Sequence, residues 1–134
     1  MSQNNSKNFE IWMKQKGYIN ARTDHETLFF REREIWWCFL GLNVGFEEDG
    51  KGKKYLRPIL ILKKFNGNSF IGLPLTTVDS DNRYVLRCDS EDCIFRKVIL
   101  SQLKMIDSKR LMNKISIVSL PSFTIIRKAV RNIF

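Results

Sequence analysis

The sequence predicts a mainly β domain with flanking helices, an α+β fold built around a small twisted barrel. Short runs of β-branched and aromatic residues recur along the chain, separated by turn residues at intervals of roughly 8 to 12 positions. Helical spacing of apolar residues occurs only near the two ends. A chain of 134 residues usually builds one core, so we expect one domain.

The N-terminal part of the chain predicts a short helix followed by a linker. Phe9, Trp12, Met13 and Lys16 recur at helical spacing, and Gly17 follows as a stop signal. Residues 20–33 are mostly polar and charged. We therefore divide the chain into an extension over residues 1–31 and a barrel domain over residues 32–134.

The central region predicts six strands joined by turns and one long loop. The strands are expected at residues 35–42, 57–62, 70–75, 84–88, 94–100 and 115–118. The Asn66-Gly67 pair predicts a hairpin between the second and third strands. Residues 43–56 are glycine-punctuated and charged, which indicates a long loop of the kind that often carries function. The stretch after Leu100 predicts a strand end passing into a short helical turn.

The C-terminal residues predict a basic amphipathic helix. Phe123, Ile126, Val130 and Ile133 recur at helical spacing. Ser119 or Ser122 suits the N-cap, and Pro121 suits the first turn.

Composition excludes several classes of site and location. The chain has a single histidine, His25, and three cysteines without a CxxC pair, so we expect no metal and no cofactor. Its longest apolar run is far shorter than the roughly 20 residues needed to cross a bilayer. The polar start of the chain lacks a hydrophobic signal core. We therefore expect a soluble cytoplasmic protein that does not associate with membranes.

Positive charge is concentrated in two segments. The net charge is +9, yet residues 51–64 contribute +6 and residues 94–134 contribute +8, which leaves the remainder net acidic. Such patches are typical of a protein that binds a polyanion, although a solvated basic face without a ligand gives the same pattern. Aromatic residues, Phe46 among them, lie among these basic residues, as in surfaces that stack on unpaired bases.

Three stretches carry a resemblance to a known family. In order they are EIWWCFLGLNVGFEEDGKGKKYLRPILILKKFN, GLPLTT and VILSQLKMIDSKRL. Together they resemble the MazF/PemK toxins of bacterial type II toxin–antitoxin systems, over roughly residues 33–134. The resemblance implies a homodimer of SH3-like barrels of the MazF/CcdB type. It also implies metal-independent cleavage of single-stranded RNA at short sequences, and inhibition by a cognate antitoxin protein.

The resemblance also implies a set of site residues. The family's active arginine matches Arg57, its threonine matches Thr76, and a glutamate in the preceding loop matches Glu47. A family glutamine matches Gln102. We expect RNA contacts from Gln102 and from residues in or beside the basic stretch, namely Phe46, Lys51, Lys53, Lys54, Lys63 and Lys64. The chain departs from many members in having Phe39 where they have aspartate, and in a longer loop before Arg57.

These residue types suit cleavage by the RNA's own 2′-hydroxyl, which gives a 2′,3′-cyclic phosphate and a 5′-hydroxyl. Arg57 would neutralise the developing phosphorane charge, because guanidinium binds phosphate oxygens as a fork and stays charged. Thr76 would donate a hydrogen bond, and Glu47 is the candidate base. Without the resemblance, each residue also has an ordinary structural explanation. Arg57 would be a surface charge at a strand edge, Thr76 a turn cap, and Glu47 a solvated loop charge.

Two functions therefore remain open from the sequence. The first is an endoribonuclease toxin that cuts messenger RNA. The alternative is a protein on the same barrel that does not cleave, and that binds nucleic acid or targets gyrase.

Overall fold

The computed structural model describes residues 29–40, 56–77, 82–91 and 95–134. Within these residues the chain forms a seven-stranded antiparallel sheet and one C-terminal helix. The predicted N-terminal helix lies outside the described residues, so it stays a prediction. No helix in the described part of the chain is long and apolar enough to cross a membrane.

The centre of the sheet consists of three successive strands. They are β1 (Glu34–Phe39), β2 (Leu56–Lys64) and β3 (Ser69–Thr76). β1 and β2 are antiparallel, with Cys38 opposite Arg57, and β2 and β3 are antiparallel, with Ile59 opposite Pro74. All three contain the β-branched and aromatic residues that favour strands. The three strands confirm the sequence prediction for this region.

The hairpin predicted at Asn66-Gly67 is confirmed, but its turn is wider than two residues. The amide of Phe65 donates to the Ser69 carbonyl at 3.1 Å. The Asn66 side-chain oxygen accepts from the amides of Asn68 at 2.7 Å and Ser69 at 3.0 Å. The Asn66 side chain therefore satisfies the amides of a longer turn, as asparagine does in Asx turns.

The remaining strands lie at both edges of this central unit. They are β4 (Val85–Arg87), β5 (Lys97–Ile99), β6 (Lys104–Asp107) and β7 (Leu111–Ile117). Short 3₁₀ turns at Leu100–Gln102 and Ser108–Arg110 precede β6 and β7. The sheet order is β4-β5-β3-β2-β1-β7, and β6 pairs with β3. Both β5 and β6 pair with β3, at different positions along it.

Two details of this region differ from the sequence prediction. β6 is a strand of its own between two turns, where a strand end and a helical turn were expected. β7 begins at Leu111, four residues before the expected start. The first half of β7 is exposed at Met112, Asn113 and Lys114. Because an exposed strand segment does not need an apolar sequence, the pattern by which buried strands are predicted is absent here.

The C-terminal helix, α1 (Leu120–Ile133), is confirmed. The Ser119 side chain accepts from the Ser122 amide at 3.3 Å, which satisfies one of the open amides of the first turn. Pro121 lies in that turn, where its missing N–H costs nothing. Phe123 and Ile126 are buried, and they fix the helix against the sheet.

The sheet buries side chains on both faces. One face packs on α1, and its core includes Ile35, Leu60, Leu73, Leu75 and Val98 with Phe123 and Ile126. The other face, here called the Cys38 face, buries Trp36, Cys38, Ile59, Ile61, Phe70, Ile106 and Leu111. Adjacent residues of β2 point to opposite faces, so a strand buried on both sides has a continuous apolar sequence. This explains the run RPILIL.

Candidate active site

Arg57 is a buried cation near the start of β2. The residue is only 2% exposed, and its Nε donates to the Leu75 carbonyl at 3.1 Å. A buried charge is unfavourable unless hydrogen bonds compensate for the lost water. The bond to Leu75 also fixes the guanidinium beside the end of β3. Arg57 is therefore an oriented charge within the sheet, and the alternative of an exposed strand-edge charge does not describe it.

Thr76 lies next to Arg57. It is the last residue of β3 and is 5% exposed. Ile59 is opposite Pro74, and continuing this register by two residues brings Thr76 opposite Arg57, about 5 Å away between Cα atoms. Both side chains share the face of Ile59, because residues two apart on a strand point the same way. The structure thus brings together two of the three predicted catalytic residues.

Gln102 lies along the outer edge of β3. It ends the 3₁₀ turn between β5, which pairs with Thr76 through Lys97, and β6, which pairs with Gly72 through Lys104. Its side chain is partly buried. Gln102 therefore lies next to β3, between the level of Gly72, which pairs with β6, and the level of Thr76, which pairs with β5.

Lys63 and Lys64 lie at the opposite end of β2. Lys63 is six positions after Arg57, which corresponds to about 20 Å along a strand. The Lys63 ammonium is 3.9 Å from a Glu32 carboxylate oxygen. The Lys64 ammonium donates to the Phe30 carbonyl at 2.9 Å and lies 4.4 Å from the centre of the Phe30 ring. The structure does not bring these two lysines to Arg57, and their contact with RNA stays a prediction.

The other predicted residues fall outside the described part of the chain. They are Glu47, Phe46, Lys51, Lys53 and Lys54. The residues that flank their segment are described, since Phe39 of β1 lies opposite Leu56 of β2. Leu56 is adjacent to Arg57 in sequence. The segment therefore leaves and rejoins the sheet at the end that carries Arg57.

Two basic residues that sequence reasoning missed lie near this end of the sheet. Burial raises the pKa of the Cys38 thiol to about 12, while the positive charges of Arg110 and Lys104 act in the opposite direction. Both charges therefore act on Cys38, the residue opposite Arg57 in the β1–β2 ladder. Arg110 also donates to the Phe39 carbonyl at 3.0 Å. The only sequence signal for these residues is the local charge of +8 after residue 94.

Phe39 is buried at the end of β1. Phe39 lies opposite Leu56, the residue before Arg57. The chain therefore has a buried apolar ring close to the Arg57 end of the sheet, at the position where the sequence resemblance led us to expect an aspartate in many members.

Comparison with known protein families shows to which family this chain belongs. The model of the PemK-like, MazF-like toxins of type II toxin–antitoxin systems matches residues 31–134. The chain belongs to this family. The resemblance found in the three sequence stretches is confirmed. No curated protein sequence matches the chain.

Solved structures show that the chain has a MazF-like fold. MazF from Deinococcus radiodurans, in crystal form I, aligns with a TM-score of 0.67 at 15% identity, over 79% of this chain and 96% of that one. An endoribonuclease from a mycobacterial species, solved in complex with its cognate antitoxin, aligns with a TM-score of 0.58 at 13% identity, over 78% and 93%. A further structure, of an endoribonuclease from a mycobacterial species, aligns with a TM-score of 0.58 at 14% identity, over 78% of this chain and 91% of that one.

Proposed function

We propose that the chain is a toxin that cuts single-stranded messenger RNA at short sequences without a metal. The observation that carries this proposal is the position of Arg57, a buried guanidinium fixed beside Thr76 in a member of the PemK/MazF family. The names of the similar solved proteins, two endoribonucleases and a MazF, support the same activity.

Arg57 would stabilise the charge that develops on the phosphate. In the proposed reaction the RNA 2′-hydroxyl attacks the adjacent phosphorus and the 5′-oxygen leaves, so a pentavalent dianionic phosphorane forms in between. A guanidinium held by Leu75 needs no reorientation when this charge appears, and its buried setting strengthens the interaction. Arginine holds its proton too strongly to act as the base.

Thr76 would position the phosphate, and Glu47 is the proposed base. A threonine hydroxyl donates a hydrogen bond without titrating, so it can orient a phosphate oxygen or the leaving oxygen across the working pH range. Glu47 would take the proton from the 2′-hydroxyl, and the leaving 5′-oxygen would take up one proton from solvent to become the 5′-hydroxyl. Its segment joins the sheet beside Arg57, through Leu56, which supports this assignment.

Binding of the RNA chain would use the basic and polar groups around this pair. Gln102 lies along the β3 edge near Thr76, and we propose that it contacts a base or the backbone. Phe46, Lys51, Lys53 and Lys54 belong to the segment that starts beside Arg57. Lys63 and Lys64 are more distant, so we propose that they add only a weak charge contribution.

The family also implies partners. We propose a cytoplasmic homodimer of SH3-like barrels, inhibited by a cognate antitoxin. One similar endoribonuclease was solved with its antitoxin, which supports the second partner. Exposed apolar side chains near the C-terminus, at Leu120, Ile125, Ile133 and Phe134, support burial against a second copy. We further propose that residues 1–31 form a separate extension to the domain.

One observation favours a second function. Phe39 is a buried phenylalanine where many family members have aspartate. If catalysis requires that carboxylate, the protein would bind nucleic acid or a gyrase partner on the same sheet without cleaving RNA.

Incubation of the purified protein with a long RNA in EDTA separates the two functions. We expect discrete fragments whose 5′ ends accept phosphate from polynucleotide kinase directly, because they carry 5′-hydroxyls. An RNA with one 2′-deoxynucleotide at a mapped cleavage position should resist cutting there. Full-length RNA after incubation with protein that is folded by circular dichroism would exclude the nuclease.

A further inference from the structure

A cavity of about 630 Å³ lies where the ends of β4 and β7 approach each other. Its walls are Arg33, which precedes β1, the residues that follow β4, and the last part of β7. Cys38, the partner of Arg57, is near the other end of β1. The volume is in the range of small-molecule sites. The cavity is therefore a place for a ligand that is separate from the proposed active site at Arg57 and Thr76.

Hydrogen bonds fix the walls of this cavity against each other. Ser90 forms an isolated antiparallel bridge with Val118, just beyond the end of β7. The Ser116 hydroxyl of β7 donates to the Glu91 carbonyl at 2.6 Å. The segment after β4 is thus held beside the end of β7 by main-chain and side-chain contacts. A ligand would meet walls that are already in place, which lowers the entropic cost of binding.

Arg33 is held at this cavity in an unusual backbone conformation. Its φ of 80° is in the left-handed region, which is unfavourable for a residue with a Cβ. Its amide donates to the Ile61 carbonyl at 3.0 Å, its carbonyl accepts from the Val118 amide at 2.8 Å, and its Nε donates to the Val118 carbonyl at 3.1 Å. The two terminal nitrogens of the guanidinium donate to no residue in the described part of the chain. Strained residues that are fixed in this way concentrate at functional sites, and here the fixed group is an oriented pair of donors.

Ser90 supplies a second polar group for a ligand. Its hydroxyl oxygen is buried and forms no hydrogen bond with any described residue. Buried polar atoms almost always have a partner, so this hydroxyl is available to a ligand atom. Ser90 bridges Val118, and Val118 is bonded to Arg33 through both main chain and side chain. The hydroxyl and the guanidinium therefore belong to the same part of the cavity.

Charged side chains of both signs line the cavity, and two of them are already paired. The Lys114 ammonium is 3.3 Å from an oxygen of the Glu34 carboxylate, which is itself buried. The Asp89 carboxylate accepts from Arg87 Nε at 2.8 Å. A ligand would have to compete with these ion pairs, so Lys114 and Asp89 are not its main partners.

Arg33 and Glu91 are the other two charged side chains of the cavity among the described residues, and neither has an ion pair there. One cation and one carboxylate are complementary to a ligand that carries both charges. We propose that the cavity binds a small zwitterion with an amino group and a carboxylate or phosphate group. Its anionic oxygens accept from the terminal nitrogens of Arg33, which match two such oxygens as a fork, and from the Ser90 hydroxyl. Its ammonium donates to the Glu91 carboxylate.

The test is a titration of the full chain with two zwitterions, glutamine and phosphoethanolamine, at constant ionic strength. Backbone amide resonances report the site, and we expect saturable shifts at Ser90, Glu91 and Val118 with Arg57 and Thr76 unaffected. Acetate, inorganic phosphate and ethylamine lack one of the two charged ends. Each should bind roughly tenfold more weakly or worse, because a hydrogen-bonded charge contact is lost. The zwitterion that binds more tightly identifies the anionic group.

Variants at the two charged residues assign the two ends of the ligand. Arg33→Asn removes the guanidinium but keeps a residue type that tolerates positive φ, so its melting temperature should stay close to that of the wild type. Its affinity should fall by about tenfold or more, as on truncation of a bonded charge partner. Glu91→Gln should bind the zwitterion no better than acetate or phosphate. The matched control is Arg31→Gln, an exposed arginine outside the cavity wall, which should bind as the wild type does.

Several outcomes would overturn the zwitterion site. They are the absence of saturable binding of either zwitterion by the wild type, equal affinity of the wild type and Arg33→Asn, and shifts centred on Arg57. The site does not depend on the nuclease proposal. A protein that binds the zwitterion but never cuts RNA loses only the nuclease, and a protein that cuts RNA but binds neither zwitterion loses only this site.

Discussion

The two ends of strand β2 carry the same kind of charge in opposite settings. At the first end Arg57 is buried, donates to the Leu75 carbonyl, and lies beside Thr76. At the other end Lys63 is more than half exposed near Glu32, and Lys64 donates to the Phe30 carbonyl. All three residues belong to the same basic stretch, 51–64.

This difference shows why local charge alone does not locate a site. An exposed lysine beside a carboxylate contributes at most about 1 kcal/mol, and salt screens it. A buried guanidinium loses water and must regain that free energy from fixed partners, so it is costly to keep without a role. This contrast supports our proposal that the reaction takes place at the Arg57 end of β2, with a minor part for Lys63 and Lys64.

The largest expected effect is that of Arg57→Ala on cleavage. Removal of a preorganised group that stabilises transition-state charge usually costs about 10²- to 10³-fold in kcat, and we expect a loss of at least this size. Single-turnover cleavage of one defined RNA in EDTA measures it. Arg87→Ala is the matched control, because that arginine is exposed on β4 and pairs with Asp89.

Loss of folding must be separated from loss of chemistry in this experiment. Arg57→Lys retains a cation of similar reach but lacks the fork, so it should also cleave slowly while its melting temperature stays closer to that of the wild type. Normal cleavage by Arg57→Lys would show that the guanidinium geometry is unimportant. Normal cleavage by Arg57→Ala would remove the reaction from this end of β2.

A change at Gly72 should destabilise the packing behind the Arg57 end. The new Cβ of Gly72→Ala would lie 2.5 Å from Ile59 Cγ2, so the neighbouring side chain must shift. We expect a loss of about 1–3 kcal/mol in the free energy of unfolding, as for other overpacked positions. Urea denaturation measures this loss. Gly67→Ala is the control, because a Cβ there meets nothing within 4 Å.

The buried thiol opposite Arg57 predicts a loss of stability at high pH. The pKa of Cys38 rises from 9.0 to about 12 on folding, so above pH 9 the unfolded chain releases a proton that the folded chain keeps. Stability contributed by the protonated thiol therefore falls as pH rises, by about 1.4 kcal/mol at pH 10. Denaturation at pH 8 and pH 10 should show a smaller decline for Cys38→Ala. Equal declines would mean that the thiol is accessible to water.

Much of this architecture follows from the sequence, and the remainder depends on contacts between distant strands. β1, β2, β3 and α1 have strong local signals, namely apolar runs and a capped amphipathic helix. β6 and the start of β7 are short and exposed, so no local pattern marks them. Arg57 and Thr76 are proposed as site residues from the family motif, and their position next to each other depends on the pairing of β2 with β3. The contact of Arg110 with the Phe39 carbonyl arises from the pairing of β1 with β7, two strands that are far apart in the sequence, so spacing in the sequence does not encode it.

A modest effect is expected at Thr76. Thr76→Val keeps the shape of the side chain and removes its hydroxyl, so one hydrogen bond to the negatively charged phosphate is lost. A hydrogen bond to a charged group contributes about 1.5–3 kcal/mol, which predicts slower cleavage by roughly 10- to 100-fold. The kinetic assay used for Arg57→Ala measures it, with Thr124→Val on α1 as the control. Restored hydrogen bonding in Thr76→Ser should recover most of the rate.

The smallest effect is expected at the far end of β2. Lys63→Gln removes one exposed cation about 20 Å from Arg57, so we expect RNA affinity to change by no more than about twofold at physiological salt. Titration with a single-stranded 2′-O-methyl RNA, which cannot be cut, measures this change beside Arg57→Lys. A larger loss of affinity for Lys63→Gln than for Arg57→Lys would move the RNA to the Lys63 end.

Mapping of the RNA contacts on the protein tests the central claim most directly. Backbone amide resonances of the wild-type protein can be followed during titration with a single-stranded 2′-O-methyl RNA, which binds but is not cut. We predict the largest shifts at Arg57, Leu75 and Thr76, with small shifts in the turn between Phe65 and Ser69. Shifts centred on that turn, with Arg57 and Thr76 unaffected, would contradict the assignment of the site.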